Sequence, residues 1–597
     1  SHYLTGEQSS KKNSEFETMA PDGNLLMPSI VGGEKDEVVI LVDPYSTGCC
    51  IAQEMAKRGY TIIALWTSGF SEDMKKHVPT SCSNITYYNE VTEKGSLEDT
   101  VTLVKAACGT LTIVACLAGG EAGVDLADAL SEKLGLLTNG TEIPNRRDKK
   151  IQQELIKKAG MRSVRQAGGP EFSDVEPFLR KESYPVVVKP TESAGSDGVK
   201  LCHNFEEAKE HFSVLMEAQM VNGGACPAVL CQEFLRGKEY VVDHVSRDGV
   251  HKTAMVWVYD KRAVNGAAFV YFGCVPIDPE STEAKILIPY VRDVLDALGV
   301  KNGPSHGEVM MTANGPCLVE MNCRAHGGDG NWMPLCRALS GGYSQVEASA
   351  DVYLDKEQFM RLPDKPPSPF KASGQEVILV SFSKGRVKDT PGYEVIKMLP
   401  SFVYLETAIR EGSEVDYTVD LFTGIGSVIL INEDEKILKR DIDFIRTMEK
   451  INGIFVYETK LENLKRPRAD VYSIAPTLSA FPHRRGVSEG PNLLRSFSMD
   501  RPELMRPLMK RMTTVDASKE AVILVDPYST GCCIAMEIAK RGYTIIALWT
   551  SGFSEEMKKH VPLSCENLTY HAEVTEEGTL AETASAVYKA AYLFRIV

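Results

Sequence analysis

Two glutamates twelve residues apart, Glu308 and Glu320, sit in the segment SHGEVMMTANGPCLVEMNCRAHGG. The pattern predicts a hairpin: strand His306 to Thr312, a three-residue loop Ala313-Asn314-Gly315 with Gly315 in the left-handed conformation, then strand Pro316 to Cys323. That loop pairs 312 with 316 and so 308 with 320, and alternation brings Asn322 to the same face. Like charges directly opposite each other are unfavourable, so the arrangement calls for a cation between them. Hard oxygen ligands in small number suit one or two Mg²⁺ shared with nucleotide phosphates. A two-residue Asn314-Gly315 loop would put the acids on opposite faces and leave a solvated hairpin.

Two further segments bear on this. YPVVVKPTESAGSDGVKL, Tyr184 to Leu201, is an apolar strand ending at Lys189, then a glycine-containing loop and a return strand. Glycines there let backbone N–H groups approach an anion, and a strand-end lysine supplies a point charge for phosphate. VLCQEFLRGKEYVVD, Val229 to Asp243, reads as strand, short turn at Arg236-Gly237, strand. A segment crossing between two lobes could offer its backbone to an adenine edge and Glu239 to ribose hydroxyls. The plain alternatives are an ordinary hairpin and a surface lysine.

In this order and spacing the three segments, spanning about Pro144 to Leu362, resemble the ATP-grasp superfamily, and within it the L-amino-acid ligases, which are carboxylate–amine ligases. The resemblance implies an α/β multidomain chain. An ATP-grasp core of two α+β lobes is preceded by a Rossmann-like domain and followed by a small α+β subdomain. It implies that Lys189, and Lys149 in RRDKKIQQELIKKAG, contact ATP phosphates, and that Ser193, Gly195, Ser196 and Gly198 form a mobile lid. Gln232, Glu233 and Leu235 fall at the adenine position, and Glu239 at the ribose acid. Many members carry glutamate where Gln232 stands. Glu308, Glu320 and Asn322 match the magnesium ligands, with Mn²⁺ as a substitute ion, and Arg324 matches an arginine that steadies the acyl-phosphate or substrate carboxylate. His306 matches a substrate-pocket histidine. From the register alone it is a substrate contact, a partner of the metal acids or a structural residue. Trp332, after the glycine run at 327–330, is either a pocket wall or a core residue.

The flanks fit the same plan. Glu37 to Gly120 alternates apolar strands and helices, an open parallel α/β pattern. Its Ser46-Thr47-Gly48 turn could bind an anion or simply cap a helix. Gln375 to Lys460, with strands VILVSF and SVILIN and a helix DIDFIRTMEK, resembles the closing subdomain. ILVDPYSTGCCIA recurs 483 residues on, aligning Asp43 with Asp526, and AKRGYTIIALWTSGFSE recurs unchanged. A period this long means duplicated modules. The second copy is expected to stop before any match to the strand LTIVACLAG. Read as part of a tandem ligase or as an appendage, it could replace the first copy on the core and give swapped dimers. The expected division is arm 1–36, Rossmann-like domain 37–140, catalytic domain 141–362, subdomain 371–460, linker 461–518 and partial second copy 519–597.

The net charge of −15 over 597 residues argues against a general nucleic-acid surface. Fifteen dispersed cysteines without CxxC spacing suit a reduced, cytoplasmic setting, and no apolar run reaches membrane-spanning length. Neither GxxxxGK[ST] nor GxGxxG is present. The expectation is an ATP- and Mg²⁺-dependent enzyme joining a small-molecule carboxylate, of an amino acid, to an amine. It needs no nucleic acid or membrane partner, and a homodimer is allowed. The alternatives are a carboxylase or carbamoyl-phosphate-type enzyme acting on bicarbonate, and a non-catalytic nucleotide-binding module.

Overall fold

The computed structural model describes residues 35–458 apart from 76–77, 145, 192–197 and 218–227, and parts of 520–596. The expected N-terminal arm up to residue 34 and the linker 461–518 lie outside the described residues. The chain forms two compact units. The first holds the residues up to Lys384 with Ile396–Ile409 and Val415–Lys450; the second holds Gly385–Val395, Arg410–Glu414 and the chain from Ile451.

In the first unit, the runs EVVILV and TIIALW are buried on both faces, as parallel strands covered by helices require. They form a four-stranded parallel sheet in the order Asn89–Thr92, Thr61–Trp66, Glu37–Val42, Thr112–Ala118. Next comes a small antiparallel lobe in the order Gln166–Gly169, Val229–Glu233, Val186–Pro190, Lys200–Cys202. Helices Phe172–Lys181 and Phe205–Glu217 pack on it through Val175, Leu179, Phe212 and Leu215.

The large sheet has eight strands. From one edge they run Gly315–Asn322, Gly303–Thr312, Gly237–Arg247, Val250–Val264, Ala267–Pro276, Ser373–Ile378, Ser427–Asn432 and Phe402–Glu406. Three strands of segment 371–460, Ser373–Ile378, Ser427–Asn432 and Phe402–Glu406, therefore extend the same sheet as the catalytic segment, while Glu414–Val415, Gly385–Asp389 and Val456–Tyr457 form a separate three-stranded sheet. The strand expected at VILVSF begins earlier, at Ser373, and ends at Ile378. One face of the sheet presents Val242, Val256, Val309, Leu318 and Met321 to helices Lys149–Lys158 and Thr282–Ala297. The other face presents Val241, Met255, Trp257 and Cys274 to a core that includes Ile51, Met55, Trp332 and Leu339. Trp332 is thus a core residue, 1 % exposed, with its indole N–H donated to Gly327 O at 2.7 Å.

The Ser46 turn makes no side-chain cap bond to its helix. Ser46 Oγ accepts from Asp329 N at 3.0 Å, and Thr47 Oγ1 donates to Gly327 O at 3.1 Å. Its hydroxyls are used to hold the glycine run.

In the second unit, strands Glu520–Val525, Thr544–Trp549 and Ala572–Thr575 repeat the first three strands of the parallel sheet at the 483-residue offset. Asp526 accepts from Thr550 N at 2.7 Å as Asp43 accepts from Thr67 N at 2.8 Å. The expectation that the repeat stops before the fourth strand is corrected. Arg595–Ile596 pairs in parallel with Glu520–Ala521, the register in which Thr112–Ile113 pairs with Glu37–Val38. The dissimilar side chains hid this match, because parallel pairing is made by backbone groups.

Candidate active site

The acid hairpin reaches the expected outcome by a different route. Thr312 pairs with Gly315, so the loop is the two residues Ala313 and Asn314, and Gly315 (φ +93°) opens the return strand. This register alone would turn Glu308 and Glu320 to opposite faces. A bulge between Glu308 and Val309 corrects it, because Val319 is an extra residue on the return strand. Beyond the bulge Glu308 faces Glu320 and His306 faces Asn322. The neighbouring strand continues both rows, with Val241 beside Glu308 and Asp243 beside His306.

A cavity opens between the small lobe and this face of the large sheet. Its apolar lining includes Val164, Val187, Leu235, Phe269 and Met310, and its charged lining is Lys149, Lys189, Lys261, Glu233, Glu239, Glu308 and Glu320. Gln232 also lines it. The side chains of Gln232 and Glu233 are engaged within the small lobe: Gln232 Nε2 donates to Gln166 Oε1 at 2.9 Å, and Arg165 Nη1 lies 2.8 Å from Glu233 Oε2.

Lys149 stands at the start of its helix, whose N-cap Asp148 accepts from the N–H groups of Lys150 and Ile151. Lys149 Nζ lies 3.1 Å from Glu320 Oε2. Its basic neighbours turn elsewhere, Arg147 to Glu121 at 3.3 Å and Lys150 to Gly168 O at 2.9 Å. Lys189, at the end of its strand, is 5 % exposed. Burial pulls its ammonium down to about 8, against the favourable charge of Glu320.

Lys261 and the tyrosines beside it were not singled out from sequence. Lys261 Nζ lies 2.7 Å from Glu239 Oε1 and 4.3 Å from the centre of the Tyr271 ring. Burial opposes its charge, yet Glu239 holds it well above the ordinary lysine value; burial raises Glu239 in turn. An alternating pattern in the strand Val250–Val264 was the available signal, but it does not say which partner waits across the sheet.

His306 is 3 % exposed. Its Nδ1 donates to Asp243 Oδ1 at 2.8 Å, and its Nε2 lies 3.0 Å from Tyr259 Oη and 3.3 Å from Glu308 Oε1. Burial disfavours its charge, but Asp243 and then Glu308 raise it to about 9. Burial likewise opposes ionisation of Glu308, while His306, Lys261 and Arg324 hold it well below the usual carboxylate range. Asn322 Nδ2 donates to Glu320 Oε1 at 3.3 Å. Arg324 lies outside the cavity lining: its Nε is 3.1 Å from Glu121 Oε2, and one terminal nitrogen donates to Ala325 O at 3.0 Å. Gly198 accepts from His211 Nε2 at 2.8 Å through its carbonyl, on the small lobe. Ser193, Gly195 and Ser196 lie outside the described residues.

This arrangement places three lysines and four carboxylates, Glu233 among them, in a cavity with apolar walls. It suits a polyanion carrying a flat apolar group. Comparison with known proteins agrees. Residues 182–332 match the model of the ATP-grasp domain. The chain is 29% identical over 424 residues to dapdiamide A synthase of Enterobacter agglomerans, covering 69% of this chain and 96% of that one. Among solved structures, an L-amino acid ligase from Bacillus licheniformis superposes with a TM-score of 0.56 at 16% identity, covering 71% of this chain and 99% of that one. An ADP complex of N5-carboxyaminoimidazole ribonucleotide synthetase gives 0.50 at 16% identity, covering 71% and 100%. The two structures speak for the fold. Residues 182–332 thus match an ATP-grasp domain, and the chain as a whole is similar to carboxylate–amine ligases.

Proposed function

We propose that this chain is an ATP-dependent ligase that activates a carboxylate, of an amino acid, as an acyl-phosphate and joins it to an amine. The observation that carries this is the cavity in which Lys149, Lys189 and Lys261 face Glu239, Glu308 and Glu320. A carboxylate is a poor electrophile toward an amine. Moving the γ-phosphoryl group of ATP onto it gives ADP and an acyl-phosphate. Attack by the neutral amine then forms the C–N bond and expels phosphate. Such transfer is chiefly positioning and charge neutralisation.

The chain's own groups supply both. Lys149 and Lys189 neutralise phosphate oxygens, Lys261 adds a third cation, and Glu239 receives ribose hydroxyls. The crossing at Glu233 to Leu235 offers its backbone to the adenine edge. Arg324, paired with Glu121, orients the substrate carboxylate. The donor set of Glu308, Glu320 and Asn322 fits Mg²⁺: oxygen ligands on one face, with two carboxylates opposed across the hairpin. Mg²⁺ or Mn²⁺ held there would neutralise phosphate charge. Among the described residues no helix is long and apolar enough to cross a membrane.

The test is phosphate release from ATP across a panel of amino acids, singly and in pairs. Stimulation by a pair above either member is expected. Release that depends on bicarbonate and ignores amino acids would replace this reading with the carboxylase one. Glu320→Ala is expected to abolish turnover with the fold intact by circular dichroism; near-normal turnover would remove Glu320 from its role.

A further inference from the structure

Asp243 lies one row from the opposed glutamates and outside the cavity lining, in a place no motif marks. It is 1 % exposed. Three donors converge on its carboxylate. His306 Nδ1 reaches Oδ1 at 2.8 Å, while His326 Nδ1 and Trp257 Nε1 reach Oδ2 at 2.9 and 2.7 Å. The two imidazole centres are 4.3 Å apart, and His326 also meets the edge of Trp257 at 5.8 Å. Its backbone N–H is donated to Gln345 Oε1 at 2.8 Å. Both rings are thereby fixed in position, each with Nδ1–H toward Asp243 and its Nε2 directed away.

For His306 that direction is informative. Its Nε2 is held between Tyr259 Oη and Glu308 Oε1, and Tyr259 itself donates to Glu308 Oε1 at 3.3 Å. Glu308 therefore has one oxygen fixed by two side chains, one of which is aimed by Asp243. The strand register explains the line, since Asp243 stands beside His306 across the sheet and Glu308 follows two residues later on the same face.

A different reading is a metal cage, because the ligand atoms of Asp243, His306 and His326 lie within 4.8 Å of one another. The hydrogen bonds decide against it. Both histidines present Nδ1 to Asp243 as donors, and the indole N–H takes a further share of the same carboxylate. A cation there would have to displace donors that already satisfy the buried acid.

We propose that Asp243 is a positioning residue for the divalent-ion acids: through His306 it sets the orientation in which Glu308 offers its oxygens. The proposal rests on the ligase reading only for the identity of the reaction, since ion binding is measured separately. Buried partners of this kind change metal affinity by roughly 10–100-fold when removed. Asp243→Asn keeps the volume but replaces an acceptor oxygen with an N–H₂ that opposes one of the present donors.

The experiment measures Mn²⁺ binding to the full chain with a non-hydrolysable ATP analogue, by electron paramagnetic resonance, beside phosphate release. Asp243→Asn is expected to weaken Mn²⁺ binding about tenfold or more, to lower kcat, and to leave the KM for the amine unchanged. His306→Gln cuts the same line one link later and is expected to show the same loss of Mn²⁺ affinity, whether or not Asp243→Asn folds. Wild-type Mn²⁺ affinity in His306→Gln, or in folded Asp243→Asn, overturns the proposal. A wild-type chain that binds Mn²⁺ and nucleotide but joins no substrates would fail the ligase reading and leave this comparison intact.

Discussion

At the scale of single residues, the cavity holds its cations in two different ways. Lys189 releases its proton near pH 8 in the folded chain, against 10.5 for an ordinary lysine, because burial outweighs the attraction of Glu320. Between those values the unfolded chain binds more protons, so this residue makes stability rise with pH across that window; below pH 8 its cost is borne in full. Lys189→Met is expected to raise the melting temperature at pH 7 and weaken ATP binding by about tenfold or more. Calorimetry reads both, and a lowered melting temperature with unchanged ATP affinity would reverse the assignment. Lys261 is the opposite case, since its charge is wanted by Glu239 at 2.7 Å. Lys261→Met leaves a buried carboxylate without its partner and is expected to cost about 3–5 kcal/mol. Adding Glu239→Gln should restore most of that loss in chemical denaturation, as a double-mutant cycle for a coupled pair requires.

At the scale of elements, one added residue and one absent side chain decide the site. Val319 is the residue that turns Glu320 back to the face of Glu308. Gly237 opens the strand that carries Glu239 and Asp243, and a Cβ there would lie 1.9 Å from Met311 O on the neighbouring strand. Gly237→Ala must part the two strands beside the cavity. It is expected to cost about 1–3 kcal/mol and to weaken ATP binding, both measurable by thermal shift with and without nucleotide. Farther along the same sheet, Glu376 is buried and accepts from Ser427 Oγ at 2.7 Å, and burial raises its carboxyl from 4.5 to about 7. The folded chain keeps a proton there that the unfolded chain loses between those values. Stability therefore falls as pH rises from 4.5 to 7. Glu376→Gln should remove that part of the slope, seen as a flatter urea midpoint across the same pH range.

At the scale of the whole molecule, the duplicated module and the catalytic unit separate cleanly in residues. Every residue lining the cavity belongs to the first unit. Removal of 519–597 is therefore expected to leave ATP-dependent phosphate release intact. Loss of release would mean the second copy takes part in catalysis, and an unchanged oligomeric mass would dispose of swapped dimers. The second copy keeps the fold of the first but not its enclosure: Val525 is 61 % exposed where Val42 is fully buried.

Much of this was legible in the chain itself. The order of strands, the lysine before the glycine loop, the crossing segment and the opposed acids are local patterns. Residue type and spacing carry them, because apolar alternation and turn chemistry act over a few neighbours. The rest was settled only when distant strands met. A bulge leaves no mark in composition, so the loop length read from sequence was wrong although the acids still faced each other. Lys261 found Glu239, and Asp243 found two histidines and a tryptophan, across a sheet whose register depends on backbone pairing. Sequence determined which chemical groups this protein owns and roughly where each strand carries them; tertiary structure decided which charges share one buried space, since only packing removes the water that would otherwise keep them apart.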